Sequence, residues 1–274
     1  MKWQQATLQA NGLHIFFTRT GGDKPPVILN HGATDNGLCW LPVAEQLAED
    51  YDVLMPDARG HGRSSSGNGR YDSVSRAEDL IAFINALNLK KPVIMGHSLG
   101  AQTTLFTAAL YPKQITAAIL EDPILRLAEE EVFAGTQDKD VGKMMQTNVM
   151  RSKKTPAFIL RRFARKNFNW PRNELKHWAQ SKKQLSDDFI QSLGALQDEA
   201  DGFDMLAKVS VPVLLITGNR EKGAIVSSAA AEKAQSIHAQ LQVAYFDTGH
   251  NIRRENFDGY MQAVKAFLRQ VTPA

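Results

Sequence analysis

Short, uniformly apolar runs alternate along this chain with longer stretches whose apolar residues recur at helical spacing. Val27-Ile28-Leu29, Val53-Leu54-Met55, Val93-Ile94-Met95, Ala117 to Leu120 and Val211 to Ile216 are too short and too apolar for surface helices. Each is soon followed by Gly, Asp or His, and each predicts a buried strand. Gln242 to Phe246 predicts a last one. The first 20 residues form two alternating halves around Asn11-Gly12, the pattern of an antiparallel hairpin at a sheet edge. Helices are expected near 37–49, 73–88, 98–110, 228–239 and 256–270. The alternation predicts an α/β fold, with a mostly parallel central sheet flanked by helices.

One segment breaks the rhythm. From Pro123 to about Lys208 no strand pattern is visible, and helical patterns carry Phe133, Phe158, Phe163, Phe168, Trp170, Trp178, Phe189 and Phe203. This predicts a helical cap, residues 123–208, inserted between the sixth and seventh strands of a core formed by 1–122 and 209–274.

With 43% apolar and 22% charged residues, such a core buries enough surface to fold without disulfides or a structural metal. Cys39 is the single cysteine, so no intrachain disulfide is possible, which fits a reducing compartment. The opening Met-Lys-Trp-Gln-Gln-Ala-Thr lacks the apolar stretch of a signal peptide. No run approaches the roughly 18 apolar residues of a membrane span. The expectation is a cytoplasmic protein with no membrane partner. Net charge is +3, yet between Arg151 and Lys183 there are eleven Lys or Arg against one acid, Glu174. A solvated helical face is the plainer explanation, and attraction of an anionic substrate or surface is the sharper one. No nucleic-acid recognition motif accompanies the charge.

Gly96-His97-Ser98-Leu99-Gly100 is a G-x-S-x-G sequence directly after the strand at Val93 and directly before a helix. In that setting the glycines permit a sharp, strained turn that lifts the Ser98 hydroxyl clear of the sheet. The helix that follows aims its first amides at the same spot, where they suit a developing oxyanion. Here the chain resembles the α/β-hydrolase superfamily, over nearly its whole length apart from the cap. His31-Gly32-Ala33-Thr34 matches the family's H-G oxyanion loop, and the resemblance implies that the amides of Ala33 and Leu99 hold the oxyanion. Asp57-Ala58-Arg59-Gly60-His61-Gly62-Arg63-Ser64 is similar to the family's D-x-R-G-x-G-x-S turn, expected to be structural. His250, in Asp247-Thr248-Gly249-His250 after the last predicted strand, stands where the family carries its catalytic base.

The acid has two candidates. The family's more frequent place is after the seventh strand, where this chain reads Gly218-Asn219-Arg220-Glu221-Lys222-Gly223-Ala224-Ile225-Val226. Glu221 has the right offset but is one methylene longer, and it sits in a turn that reads as exposed. Asp122, ending the strand from Ile115 to Leu120, is favoured over Glu221, because a triad carboxylate must be shielded for its charge to reach the imidazole. Its neighbour Glu121 is weaker, since adjacent strand residues point to opposite faces.

Ser98 at the elbow excludes the dehalogenase and epoxide hydrolase chemistries of the superfamily, which use an aspartate there. Neither H-E-x-x-H, paired cysteines nor a carboxylate cluster points to a metal. Gly21-Gly22 lacks a dinucleotide-loop context, so no cofactor is expected. The leading expectation is a serine hydrolase that cleaves a carboxylic ester of a small molecule through an acyl-enzyme. A lactone or the carbon–carbon bond of a vinylogous diketone is the alternative substrate for the same triad. A non-catalytic ligand receptor on the same fold is the alternative of another class. The aromatic cap points to a bulky apolar or aromatic substrate, with Trp170 and Trp178 as candidate binding residues. Packing of the cap's own core is the other use of those rings. Oligomeric state is not legible.

Overall fold

The computed structural model describes residues 3–127, 138–193 and 201–272. Phe133 lies outside the described residues. Strands β1 (Gln4–Ala10) and β2 (Leu13–Arg19) form the expected hairpin, in register from Gln4–Arg19 to Ala10–Leu13. Asn11 and Gly12 turn it with φ of 48° and 73°, the left-handed pair that matches strand twist in a two-residue turn. The remaining strands are β3 (Pro26–Asn30), β4 (Asp52–Pro56), β5 (Val93–His97), β6 (Ala117–Glu121), β7 (Val213–Thr217) and β8 (Leu241–Tyr245).

They form one sheet in the order β1-β2-β4-β3-β5-β6-β7-β8. β2 joins β4 antiparallel, and every pair from β4 to β8 is parallel. From β3 the chain steps outward to β4, then crosses to β5 on the other side of β3. Winding reverses there, and the crevice beyond the carboxyl ends of β3 and β5 is where such sheets bind ligands.

Alternation along the parallel strands splits the core in two. Ile28, Ile94, Ala118 and Leu215 face α2 (Ser73–Ala86), α3 (Leu99–Leu110) and α9 (Ser228–Ile237). Val27, Leu29, Met95 and Leu214 face α1 (Leu41–Leu47) and α11 (Phe257–Val271). Burial on both faces explains why these strands read as unbroken apolar runs. Boundaries move where backbone chemistry intervenes. Pro212 has no N–H for the ladder, and the run predicted from Val211 becomes a strand only at Val213. The predicted helix at 37–49 divides into a 3-10 turn, Gly37–Trp40, and α1, with Pro42 in its first turn.

Between β6 and β7 the described residues form five helices: α4 (Asp138–Lys154), α5 (Ala157–Asn167), α6 (Glu174–Ser181), α7 (Asp187–Ser192) and α8 (Gly202–Leu206). Val149, Leu185, Phe189 and Ile190 from this region pack with Ala33, Tyr71 and Leu99 in a third apolar cluster. That cluster joins the helices to the loops after β3 and β5. A one-turn helix, α10 (Ile252–Glu255), precedes α11. No helix among the described residues is long and apolar enough to cross a membrane.

Candidate active site

Ser98 stands alone between β5 and α3 with φ 52° and ψ −117°. This conformation costs a non-glycine residue about 1–3 kcal/mol and persists only where its surroundings enforce it. Two glycines do so. A Cβ on Gly96 would come within 2.2 Å of the Gly100 carbonyl oxygen, and one on Gly100 within 2.1 Å of the Asn30 carbonyl oxygen. Only bare backbone allows β5, α3 and the end of β3 to approach this closely. The Ser98 amide donates to the Glu121 carbonyl at 2.9 Å, which ties the elbow to the end of β6.

Asp122 directly follows β6. It has φ 47° and is fully buried. Its Oδ1 accepts from the amides of Ile225 at 3.1 Å and Val226 at 3.0 Å, and its Oδ2 from Ile225 at 2.8 Å. Oδ2 also lies 2.6 Å from Nδ1 of His250, whose side chain is 29% exposed. The loop after β7, where the family more often carries an acid, here supplies amides to an acid directly after β6. Glu221 lies in that loop too, in the exposed 3-10 turn Arg220–Lys222, and its own amide donates to Asn219 Oδ1.

His250 is also held by its backbone. Nε2 of His97 donates to the His250 carbonyl oxygen at 2.9 Å, and the two rings lie 4.6 Å apart. Burial, with the charge of Arg253 nearby, holds the His97 pKa well below the usual imidazole range, so His97 is a neutral donor. With Nδ1 of His250 committed to Asp122, its Nε2 is left with the lone pair.

Ala33 and Leu99 are both buried. Leu99 opens α3, so its N–H is among the amides that lack an acceptor within the helix. The loop carrying Ala33 is braced by two histidines. His31 bridges the Gly32 carbonyl at 2.9 Å and the Ala58 amide at 2.9 Å, while Nε2 of His61 lies 2.9 Å from the Ala33 carbonyl. The turn from Asp57 to Ser64 is structural in its contacts: Asp57 accepts from the amides of Gly37 and Arg63, and Arg59 pairs with Asp79 at 2.5 Å.

The alpha/beta hydrolase fold family matches residues 25–256. The chain belongs to that family. Among its relatives, the N-formylmaleamate deformylase of Pseudomonas putida is 29% identical over 266 residues, covering 95% of each chain. The 3-oxoadipate enol-lactonase 2 of Acinetobacter baylyi is 23% identical, covering 96% of each. The crystal structure of an E-2-(acetamidomethylene)succinate hydrolase superposes with a TM-score of 0.82 at 20% identity, over 97% of this chain and 99% of that one.

In this α/β hydrolase a second set of polar residues surrounds the same loops, and the sequence reading did not foresee it. Asp35, just after the Ala33 loop, lies 2.7 Å from Arg254, 3.3 Å from Arg253 and 3.2 Å from Lys182. Arg254 also reaches Glu174 on α6 at 2.5 Å, and Arg253 reaches Glu121 at 3.3 Å. All six are buried, three acids against three cations. Burial alone would raise Asp35, but Arg254, Lys182 and Arg253 together overcome it and hold its carboxyl well below the usual range. Burial depresses Lys182 despite Asp35 beside it. The set links the loop of His250, the loop of Ala33 and α6. Its faint trace in the sequence is a pair of arginines next to His250 and a lone acid in a basic stretch.

Trp170 and Trp178 cover the cationic side of this set. Arg254 lies over the Trp170 ring at 4.6 Å and Lys182 over the Trp178 ring at 4.9 Å. Trp170 stacks on Phe168 at 4.4 Å and meets Trp178 edge to face at 5.6 Å. Trp178, Lys182 and Thr34 line a cleft of about 340 Å³ with Met144, Met145 and Val149 of α4. The cleft therefore opens beside the Ala33 loop with a largely apolar wall.

Proposed function

We propose that this chain is a serine hydrolase that cleaves a carboxylic ester through an acyl-enzyme. Ser98 is the nucleophile, His250 the general base and Asp122 its acid partner. The observation that carries this reading is the 2.6 Å contact between His250 Nδ1 and the fully buried Asp122 carboxylate. It commits the ring proton to Nδ1 and leaves Nε2 to take the Ser98 proton. Ser98 Oγ then bonds the substrate carbonyl carbon, and the carbonyl electron pair moves onto oxygen, held by the amides of Ala33 and Leu99. The imidazolium gives its proton to the leaving alcohol as the C–O bond breaks. Water, losing a proton to His250, attacks the acyl carbon, the bond to Oγ breaks, and Ser98 recovers its proton.

Residues 123–208 serve as a cap over the core formed by 1–122 and 209–274. The apolar cleft between α4, α6 and the Ala33 loop takes the bulky part of the substrate. Trp178 forms its wall, and Trp170 supports Trp178 from Arg254. A second reading, favoured by the deformylase and the enol-lactonase among the relatives, is that the scissile bond belongs to an N-acyl group or a lactone. The steps are the same, and in a lactone the leaving oxygen stays tethered to the acyl group. A ligand receptor has no use for a serine held at the strain described above.

The test is covalent and kinetic. A fluorophosphonate should label the wild type on Ser98, and a p-nitrophenyl ester should give a burst of p-nitrophenol. Ser98→Ala should lose the label and about 10⁴-fold in kcat. Near-wild-type turnover in Ser98→Ala overturns the reading. Parallel assays on a lactone and an N-formyl amide divide the two substrate classes.

A further inference from the structure

The sequence α5 follows, Ala-Phe-Ile-Leu-Arg-Arg-Phe-Ala-Arg-Lys-Asn, is amphipathic in an unusual sense. Its inward face is thin. Ala157, Leu160 and Ala164 recur at helical spacing, and of these only Ala164 is buried. The rest of its circumference mixes large apolar side chains with cations. Phe158 is 66% exposed, Phe163 55% and Ile159 44%, and Arg161, Arg162, Arg165 and Lys166 are exposed beside them. By helical spacing Phe158 falls among Arg161, Arg162 and Arg165, while Ile159 and Phe163 fall next to Lys166.

Three other cations of the basic stretch are engaged at its ends. Lys153 pairs with Asp187, Lys182 with Asp35, and Lys183 donates to the carbonyls of Ser152 and Lys153. Among the described residues no acid forms an ion pair with Arg161, Arg162, Arg165 or Lys166. Phe163 meets Phe168 edge to face at 5.8 Å yet stays 55% exposed, and with Phe158 and Ile159 it places three large apolar side chains at the surface among these cations.

We infer that α5 is an interfacial helix that docks this protein on an anionic lipid surface. The phenylalanines and isoleucine enter the boundary between headgroups and acyl chains, and the four cations meet lipid phosphates, their aliphatic stems lying along the same boundary. Four cations on one short helix match an anionic bilayer, which offers charge over a plane. This inference stands apart from the hydrolase mechanism, since α5 contributes no residue to it. It requires no membrane-spanning helix, and none is found among the described residues, because an interfacial helix lies on the membrane.

The experiment is co-sedimentation of the full chain with vesicles of phosphatidylcholine alone and with added phosphatidylglycerol, at low and high salt. Wild type should bind only the phosphatidylglycerol vesicles and should be released by salt. R161E/R165E should weaken binding by at least about tenfold, as expected when several surface cations are lost. F158S/F163S should weaken it comparably. Both pairs are exposed, so turnover of a soluble ester should match wild type and certify the fold. Binding that ignores lipid charge overturns the inference. Loss in R161E/R165E with none in F158S/F163S also overturns it, since that is attraction without insertion. A wild-type dimer that F158S/F163S turns into monomer, with no vesicle binding, assigns the face to a second copy of the chain instead.

Discussion

Replacing Asp122 by asparagine separates the proposed acid from every other role of this carboxylate. In the native protein Oδ1 accepts from the amides of Ile225 and Val226, and Oδ2 faces Nδ1 of His250 at 2.6 Å. An asparagine that keeps its oxygen toward the two amides turns its NH₂ toward the imidazole. Nδ1 then becomes an acceptor, the ring proton moves to Nε2, and that nitrogen can no longer take the Ser98 proton. The site is almost intact but carries the wrong tautomer. In serine proteases this error lowers kcat by about 10⁴-fold, about 5.5 kcal/mol of barrier. The structural penalty is smaller. One contact from the Ile225 amide, at 2.8 Å to Oδ2, becomes unfavourable, for about 1–2 kcal/mol of stability. Initial rates on a p-nitrophenyl ester, with urea unfolding of the same samples, should show this imbalance of large kinetic and small stability loss. Glu221→Gln is the control. Its side chain stands in water, which screens its charge, so it should cost less than about tenfold. A large loss at Glu221 with Asp122→Asn nearly silent refutes the reasoning and moves the acid to the loop after β7.

Asp35→Asn should unfold the protein far more readily than it slows a soluble-ester assay per folded molecule. It leaves Lys182, Arg253 and Arg254 buried against two acids, and breaking a buried ion set of this kind costs about 3–5 kcal/mol. Calorimetry should show a melting point lower by roughly 10 °C, and an unchanged value refutes the pairing. Acidification should also destabilise the fold. Burial lowers the pKa of His31, His61 and His97, that of His61 to about 3. The unfolded chain therefore takes up these protons first, from about pH 6.5 downward, and each site removes roughly 1.4 kcal/mol per pH unit until its folded value is reached. Burial also raises Asp57, Glu121 and Glu174, which act with the opposite sign only once the pH falls to their folded values and so reduce the histidine effect. Urea midpoints should fall between about pH 7 and pH 5. A flat profile refutes the assignment of three neutral buried rings.

Local chemistry was legible in the sequence. An unbroken apolar run means a strand covered on both faces, Asn-Gly means a two-residue hairpin, and G-x-S-x-G between strand and helix means a strained elbow. Each depends on neighbours a few residues away, so sequence pattern suffices for the strands, for the hairpin and for Ser98 at its turn. What a carboxylate does depends instead on what surrounds it. Asp122 and Glu221 differ little as residues, yet one is fully buried beneath the amides of Ile225 and Val226 and the other stands in water. Only the packing of β6 against β7 brings those amides to Asp122. The buried set around Asp35 is less legible still, because its members come from a loop, a strand and two helical regions far apart in the chain, and no spacing relates them. Exposure of Phe158 and Phe163 was hidden for the same reason: an aromatic residue at helical spacing reads as core until the structure decides which face of the helix is covered. The sequence by itself determined the strands, the hairpin and the elbow, since these follow from short-range sterics and periodicity. The tertiary structure alone decided which charges are shielded and which apolar side chains remain in water, because burial is a property of the whole packed chain.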